Sequence, residues 1–220
     1  RFAVRESMGV VLMAVTLLWS SGDPSWIAAW AVVAITATWA VATGVVIVRA
    51  NPALLAERLG PRQGARRWDT VLMSVYGLLQ FAVLLIAGLD HRYGWTQAGG
   101  AVSQVAGFVF CSLGYALTVW ATASNAFFSQ IVRIQSERGH TVQTGGPYRH
   151  VRHPGYAGSI LTAVSVPVLL ASLWALVLGL ISVMLMVLRT SMEDEVLRVE
   201  LPGYADYARH VRRRLIPGVW

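Results

Sequence analysis

Charge is scarce in this chain of 220 residues: only 13% are Asp, Glu, Lys or Arg, against 55% hydrophobic residues and a mean hydropathy of +0.55. Composition of this kind excludes disordered and collagenous chains and sets the protein in the membrane class, apart from soluble globules. Cysteine occurs once, at Cys111, which excludes an internal disulfide framework. Lysine is absent, so all 18 basic residues are Arg. A net charge of +7 and a pI near 10.3 would suit a nucleic-acid binder, yet the Arg residues gather in loops between apolar runs. Membrane topology accounts for that charge better than nucleic acid does. Internal repeats, heptad arrays and low-complexity tracts are missing as well.

What the chain has is apolar runs near the roughly 20 residues that a helix needs to cross a bilayer. Met8 to Trp19 is short and close to Arg5 and Glu6, and it is expected to form a first membrane helix. A cleaved signal peptide is the competing reading, although no small-residue A-x-A motif follows. Trp26 to Val48 carries no charge, and Thr70 to Leu89 and Ala101 to Ala121 are the next two spans. Ala157 to Leu188 is too long for one ordinary crossing and short for two. Pro167 and the Ala171-Ser172 pair offer a break, so two short arms, about 157–170 and 173–189, are expected to pack as a helical hairpin. The expected fold is therefore all-α: a polytopic integral membrane helical bundle of five to six transmembrane helices, with a C-terminal helical hairpin and a cytoplasmic cofactor-binding loop.

The Arg distribution orients this map. If Trp26 to Val48 runs inward, Arg49, Arg58, Arg62, Arg66, Arg67, Arg133, Arg138, Arg149, Arg152 and every Arg from Arg189 onward are cytoplasmic, and of the 18 only Arg92 falls outside. The positive-inside rule then places both termini and both long polar segments in the cytoplasm. Arg-only basic residues and a compact length suggest a bacterial inner membrane.

Residues 122–156 and 189–220 hold four of the five His and most of the acids, and they bracket the hairpin. A fold that joins the hairpin's ends would merge them into one site at the membrane surface. In His140 to Tyr156, the triplets Gly145-Gly146-Pro147 and His153-Pro154-Gly155 predict turns whose exposed backbone groups can hold a polar ligand. His140, His150 and His153 lack the partner set of a metal site, and backbone-satisfying roles are favoured for them, so no metal is expected. Arg149 and Arg152 read individually as headgroup-binding surface residues. Arg189 and Glu193 are four apart at a helix end and share a face; emerging from the bilayer beside a polar loop, they are expected to serve function. Asp194 can pair with Arg198 in the same way. After Pro202-Gly203, Tyr204, Tyr207 and Val211 align on one face of a short amphipathic helix, read as a membrane-surface anchor.

The runs GHTVQTGGPYRHVRHPGYAG, RTSMEDEVL and LPGYADYARHVRRRLIPGVW, in that order and spacing around a hairpin, resemble the isoprenylcysteine carboxyl methyltransferase family and its wider relatives, the phospholipid N-methyltransferases included. The likeness covers about the last 95 residues; the first 120 match only as generic membrane helices. It implies an integral membrane enzyme using S-adenosylmethionine, with S-adenosylhomocysteine as product and without a soluble Rossmann-type domain. In keeping with this, no glycine-rich turn of the G-x-G kind is present. It divides the chain into N-terminal transmembrane helices, 1–121, and a catalytic region, 122–220. Carried over position by position, the resemblance implies cofactor contacts at His140, Thr141, Val142, Gln143, Tyr148, His153, Pro154, Gly155, Tyr156 and Glu193. It places Arg189 as the catalytic arginine on the substrate side. A glutamine of the family's cofactor site is replaced here by Arg133.

Methyl transfer from a sulfonium is an in-line displacement, so positioning and exclusion of water matter most, worth up to roughly 7–11 kcal/mol. Arg189 is expected to hold a carboxylate acceptor by a bidentate contact, and Glu193 a hydroxyl or ammonium of the donor. An amine acceptor would want a base, for which His153 or Tyr156 are candidates. The expected partners are membrane lipids and a lipophilic or prenylated acceptor that enters from the bilayer. A phospholipid amine acceptor remains the alternative reaction, and a non-catalytic lipid-binding or transport protein the alternative class. Transport calls for charges within the spans, and the three long spans have essentially none.

Overall fold

The computed structural model describes residues 2–59, 64–96, 99–216, 218 and 220; Arg1 and Arg62 lie outside them. Among the described residues there are α-helices and no strand: α1 (Phe2–Ser21), α2 (Ile27–Ala50), α3 (Pro52–Leu59), α4 (Arg67–Tyr93), α5 (Ala101–Ser124), α6 (Pro154–Leu169), α7 (Leu173–Glu200) and α8 (Tyr204–His210). Helices α1, α2, α4, α5 and α7 are long and apolar enough to cross a membrane. The chain is a polytopic helical membrane bundle. Helix α2 shows why: between Ile27 and Val48 it is rich in Val, Ile and Thr, which favour strands in water. In hydrocarbon only a helix satisfies every backbone group within its own segment, and that demand overrides propensity.

The six long helices close a ring, each packed on two main neighbours in the order α1, α2, α5, α6, α7, α4 and back to α1. Small residues set the tightest crossings. A Cβ on Gly158 of α6 would stand 2.4 Å from the carbonyl oxygen of Gly114 on α5, and one on Gly107 would stand 2.6 Å from the Leu169 nitrogen. Helix α6 meets α7 the same way, with Gly179 against the Ala163 carbonyl, and α1 meets α4 with Gly88 against Ser20. Such close approach lets backbones touch where apolar burial drives little association.

Three differences from the expected elements have clear causes. The first helix spans Phe2–Ser21 instead of Met8–Trp19, because Arg5 and Glu6 pair with each other at the helix end and do not terminate it. The hairpin arms are unequal. Helix α6 has 16 residues and α7 has 28, about 24 and 42 Å long. The break falls at Leu170–Ser172, where Ala171 has a φ of 57° and the Ser172 hydroxyl caps α7 by accepting from the Ala175 nitrogen at 3.2 Å. Helix α7 then runs past Leu188 to Glu200, carrying the polar stretch Arg189–Glu200 out of the apolar layer as rigid helix. The triplet His153-Pro154-Gly155 starts α6 instead of making a turn, since Pro154 stands at its first position, where a missing N–H costs nothing.

The two ends of the bundle differ in chemistry. At one end the α1–α2, α4–α5 and α6–α7 connections meet around Asp90, which is buried and accepts from Thr96 and from the Ser172 hydroxyl. Asp23 and His91 lie there too, 3.1 Å apart, beside Arg92. The opposite end gathers α3, the 125–153 loop, the last turns of α7, and α8.

Candidate active site

The 125–153 loop is held by its own side chains. Gln135 is fully buried and donates to the Phe127 carbonyl at 2.9 Å. The Gln135 backbone nitrogen donates to His140 Nδ1 at 3.3 Å, which fixes the imidazole tautomer with its proton on Nε2. The ring stacks on Phe127, centroids 4.5 Å apart. Burial, helped by the Arg138 and Arg133 guanidiniums, holds the His140 imidazole below its usual range, so it is neutral near pH 7.

A cleft opens between this loop, the start of α6, the end of α7, and α8. Its lining includes His140, Thr141, Val142, Gln143, Tyr148, His153, Gly155, Tyr156 and Glu193. Nine of the ten residues implied as cofactor contacts thus converge on one space. Pro154 lies off its lining, fully buried at the first position of α6. Among the described residues, Thr141, Val142 and Gln143 line the cleft and make no hydrogen bond, so their backbone groups are uncommitted. Gly155 has to be small here, since a Cβ on it would stand 2.3 Å from the Phe128 ring.

Glu193 and its neighbour Asp194 point to different surroundings. Glu193 is half-buried, lines the cleft and accepts a hydrogen bond from the Tyr156 hydroxyl. Asp194 is fully buried and saturated. Its Oδ1 accepts from Arg152 Nε at 2.7 Å and the Tyr204 hydroxyl at 2.9 Å, and its Oδ2 accepts from Arg152 Nη2, Arg198 and Arg214, each at 3.0 Å. His153 Nε2 stands 3.4 Å from Oδ1. Arg152 also donates to the Val211 carbonyl at 2.7 Å, and the Arg152 and His153 nitrogens donate to the Arg213 and Arg214 carbonyls, both at 2.9 Å. The chain after α8 is thereby stitched to the start of α6.

These contacts correct two expectations. Arg152 is not a headgroup-binding surface residue: it is 4% exposed and locked to Asp194. The Tyr204/Tyr207 face of α8 is not a membrane anchor, for it packs on Ile134, Val142, Leu197 and Leu201, with the Tyr207 hydroxyl donating to the Tyr148 carbonyl at 2.7 Å. Burial pushes the Tyr148, Tyr204 and Tyr207 hydroxyls up, leaving all three neutral. Arg189 and Glu193 share a helix face but bond to different partners. Arg189, 4% exposed, donates from Nε to Asp69 Oδ1 at 2.7 Å and from Nη2 to the Gln130 carbonyl at 3.1 Å, with its guanidinium 4.9 Å from the Tyr156 ring centroid. Asp69, in the first turn of α4, is fully buried and also accepts from the Val132 nitrogen at 2.8 Å. It had no signal in the sequence beyond being an acid at the start of an apolar span.

Arg189 does not line the cleft. It lines a second cavity, with Arg58, Asp69, Thr70, Met73, Tyr76 and Met186, that runs along α4 and has exposed Thr70 and Ser74 on its lip. Phe128, Ser129, Ile131 and Tyr156 belong to the walls of both spaces. Arg133, standing where the family's glutamine is expected, lines the cleft while committed to Glu57 and Glu137, both at 2.6 Å. Of the three histidines weighed as metal ligands, His140 stacks on Phe127, His153 meets Asp194 and His150 is exposed.

Fold and site together define a class: a polytopic helical membrane protein with a polar-walled cleft at one end that shares a wall, Tyr156 included, with a cavity against the membrane helices. Residues 105–199, from within α5 almost to the end of α7, are similar to the isoprenylcysteine carboxyl methyltransferase (ICMT) family. Two curated relatives are similar, one from Oryza sativa subsp. indica and one from subsp. japonica, each named a probable protein-S-isoprenylcysteine O-methyltransferase. Each is 28% identical over 141 residues, covering 61% of this chain and 71% of the relative.

Proposed function

We propose that the protein is an integral membrane methyltransferase that transfers a methyl group from S-adenosylmethionine to the carboxylate of a lipophilic acceptor of the prenylcysteine kind. One observation carries this reading: the cleft that collects the expected donor contacts and the cavity that holds Arg189 share Tyr156 as a wall. The cleft suits the donor's parts. The Phe127–His140 stack and the Val142, Leu197 and Leu201 side chains offer an apolar slot for the nucleobase, Glu193 a carboxylate for hydroxyl or ammonium groups, and the 141–143 backbone uncommitted donors and acceptors. When bound, S-adenosylmethionine supplies an electrophilic methyl on a sulfonium.

The residues of this chain have the remaining tasks. Arg189 holds the acceptor carboxylate ionised and aimed past Tyr156. With Nε on Asp69 and Nη2 on Gln130, its Nη1 is the one nitrogen without a partner among the described residues. Two of its five N–H donors are used, which leaves Nη1 and the second Nη2 hydrogen to hold the acceptor carboxylate. So held, the acceptor oxygen would face the electrophilic methyl that bound S-adenosylmethionine would supply across the shared wall at Tyr156. An ionised carboxylate needs no base, and none is placed at Nη1. The Arg-rich end of the bundle faces the cytoplasm in this reading, the acceptor enters laterally over α4, and the donor enters from water. The boundary near residue 121 separates scaffold from most of the donor site, while Asp69 and Arg58 bring the scaffold into the acceptor site. Incubation of purified protein with tritiated S-adenosylmethionine and a farnesylated N-acetylcysteine should form base-labile methyl ester, lost in Arg189→Ala. Label in base-stable amine instead would assign the phospholipid N-methyltransferase reaction.

A further inference from the structure

Arg58 is a cation without a counter-ion. It sits near the end of α3, half-buried, at a wall common to the acceptor cavity and a smaller space lined by Arg5 and Glu57. Its Nη2 donates to the Phe128 carbonyl at 3.2 Å and its guanidinium stands 5.8 Å from the Phe128 ring centroid. Its Nε is buried with no partner. Every acid of the chain lies among the described residues, and none is in ion-pair contact with Arg58. The adjacent carboxylate, Glu57, is taken by Arg133 and the Ser129 hydroxyl. Burial draws the guanidinium down to about 10, the direction expected of a desolvated cation, against an opposing pull from Glu6, whose carboxylate is paired with Arg5 and not in contact with Arg58. A buried charge of this sort is costly and is retained where a partner completes it.

Its place suggests the partner. Arg58 and Arg189 grip the carbonyls of Phe128 and Gln130, residues whose Cα atoms stand at most about 7 Å apart along one chain segment. Both guanidiniums line the same cavity. Arg189 is paired with Asp69, while among the described residues Arg58 has no carboxylate in ion-pair contact and a buried Nε without a partner.

We infer that Arg58 is an acceptor-recognition residue, which takes an oxyanion of the lipophilic acceptor, a carboxylate or a phosphate, beside Arg189. The inference rests on the proposed acceptor site and goes further, for it makes a second arginine, from the N-terminal half of the chain, a determinant of specificity. The site thereby selects anionic acceptors and rejects neutral ones of the same apolar length.

Affinity rather than turnover tests this. Binding of four probes to detergent-purified protein is measured by thermophoresis: farnesylated N-acetylcysteine and its methyl ester, farnesyl phosphate and farnesol. Arg58→Met, which removes the uncompensated charge at similar length, should weaken one acid by roughly 10- to 100-fold and leave its neutral counterpart unchanged. Arg58→Lys should restore part of the loss. Melting temperature and S-adenosylhomocysteine affinity should be retained in both variants, since the residue makes no ion pair and lies off the donor cleft. Loss confined to the farnesylcysteine acid identifies a carboxylate, and loss confined to farnesyl phosphate identifies a phosphate. Unchanged affinity for both acids, or equal loss for acids and neutral probes, overturns the inference. Because no probe has to react, a wild type that transfers no methyl would refute the proposed reaction and leave this result standing.

Discussion

Asp194 and Glu193 are consecutive on α7 yet belong to two different regions, the stitched junction below the C-terminal segment and the open cleft. Asp194 is fully enclosed, with five donors on two oxygens. Glu193 is half-buried and takes a single bond from the protein, that of Tyr156. A carboxylate whose lone pairs are all spoken for has nothing left to offer a ligand; its work is to hold Arg152, Arg198, Arg214, Tyr204 and His153 in place. A carboxylate with spare acceptors at the wall of a cleft is built to meet something else. The same contrast separates Arg152, used up by Asp194 and Val211, from Arg189, which keeps one nitrogen free toward the acceptor cavity. Occupancy of hydrogen-bonding capacity, more than residue type or burial, tells architecture from function at this end of the bundle.

The comparison can be broken most forcefully at Asp194. Asp194→Ala should lower stability by about 3–5 kcal/mol, because it strands buried guanidiniums, read as a large fall in melting temperature in detergent. If Asp194→Ala melts like the wild type, the junction is not what holds the C-terminal segment. On the other side of the comparison, Arg189→Ala should cut turnover by about 100-fold or more with donor affinity kept, and because it strands the buried Asp69 carboxylate it should also lower the melting temperature. Asp69→Asn should lower turnover by about 10-fold through misplacement of Arg189, again with donor affinity kept; a loss of donor affinity instead would connect Asp69 to the cleft. The smallest effect is on pH. In the proposed site a protonated His140 would repel the sulfonium of the donor, and the affinity of the imidazole for protons is already depressed by burial and by Arg138 and Arg133. Donor affinity should therefore be flat above pH 7 and fall as pH drops below the ordinary imidazole range, and His140→Phe, which retains the stack on Phe127, should flatten the profile.

Much of this was legible in the residues. Long uncharged runs such as Trp26 to Val48 define spans because hydrocarbon leaves no other way to satisfy a backbone. The polar motif from His140 to Tyr156 reports the cleft because its residues are local neighbours. The rest depends on partners far away in sequence. Arg189 meets Asp69 across 120 positions, and no local pattern announces that pair. Periodicity showed that Tyr204 and Tyr207 share an apolar face, yet a face looks alike whether bilayer or protein covers it, and here Ile134 and Val142 cover it. Hydropathy marks the end of the apolar run at Leu188, not the end of the helix; the Arg189/Glu193 spacing and the Pro202-Gly203 break are what point to a helix that continues, as α7 does to Glu200.

The central claim is that Glu193 is the free carboxylate of a donor site. Calorimetric titration of S-adenosylhomocysteine into the detergent-purified protein, beside Glu193→Ala, tests it most directly. The account predicts saturable binding by the wild type and at least roughly 10-fold weaker binding by a variant that melts at the wild-type temperature. A well-folded wild type that binds nothing, or a variant that binds as tightly as the wild type, would contradict it.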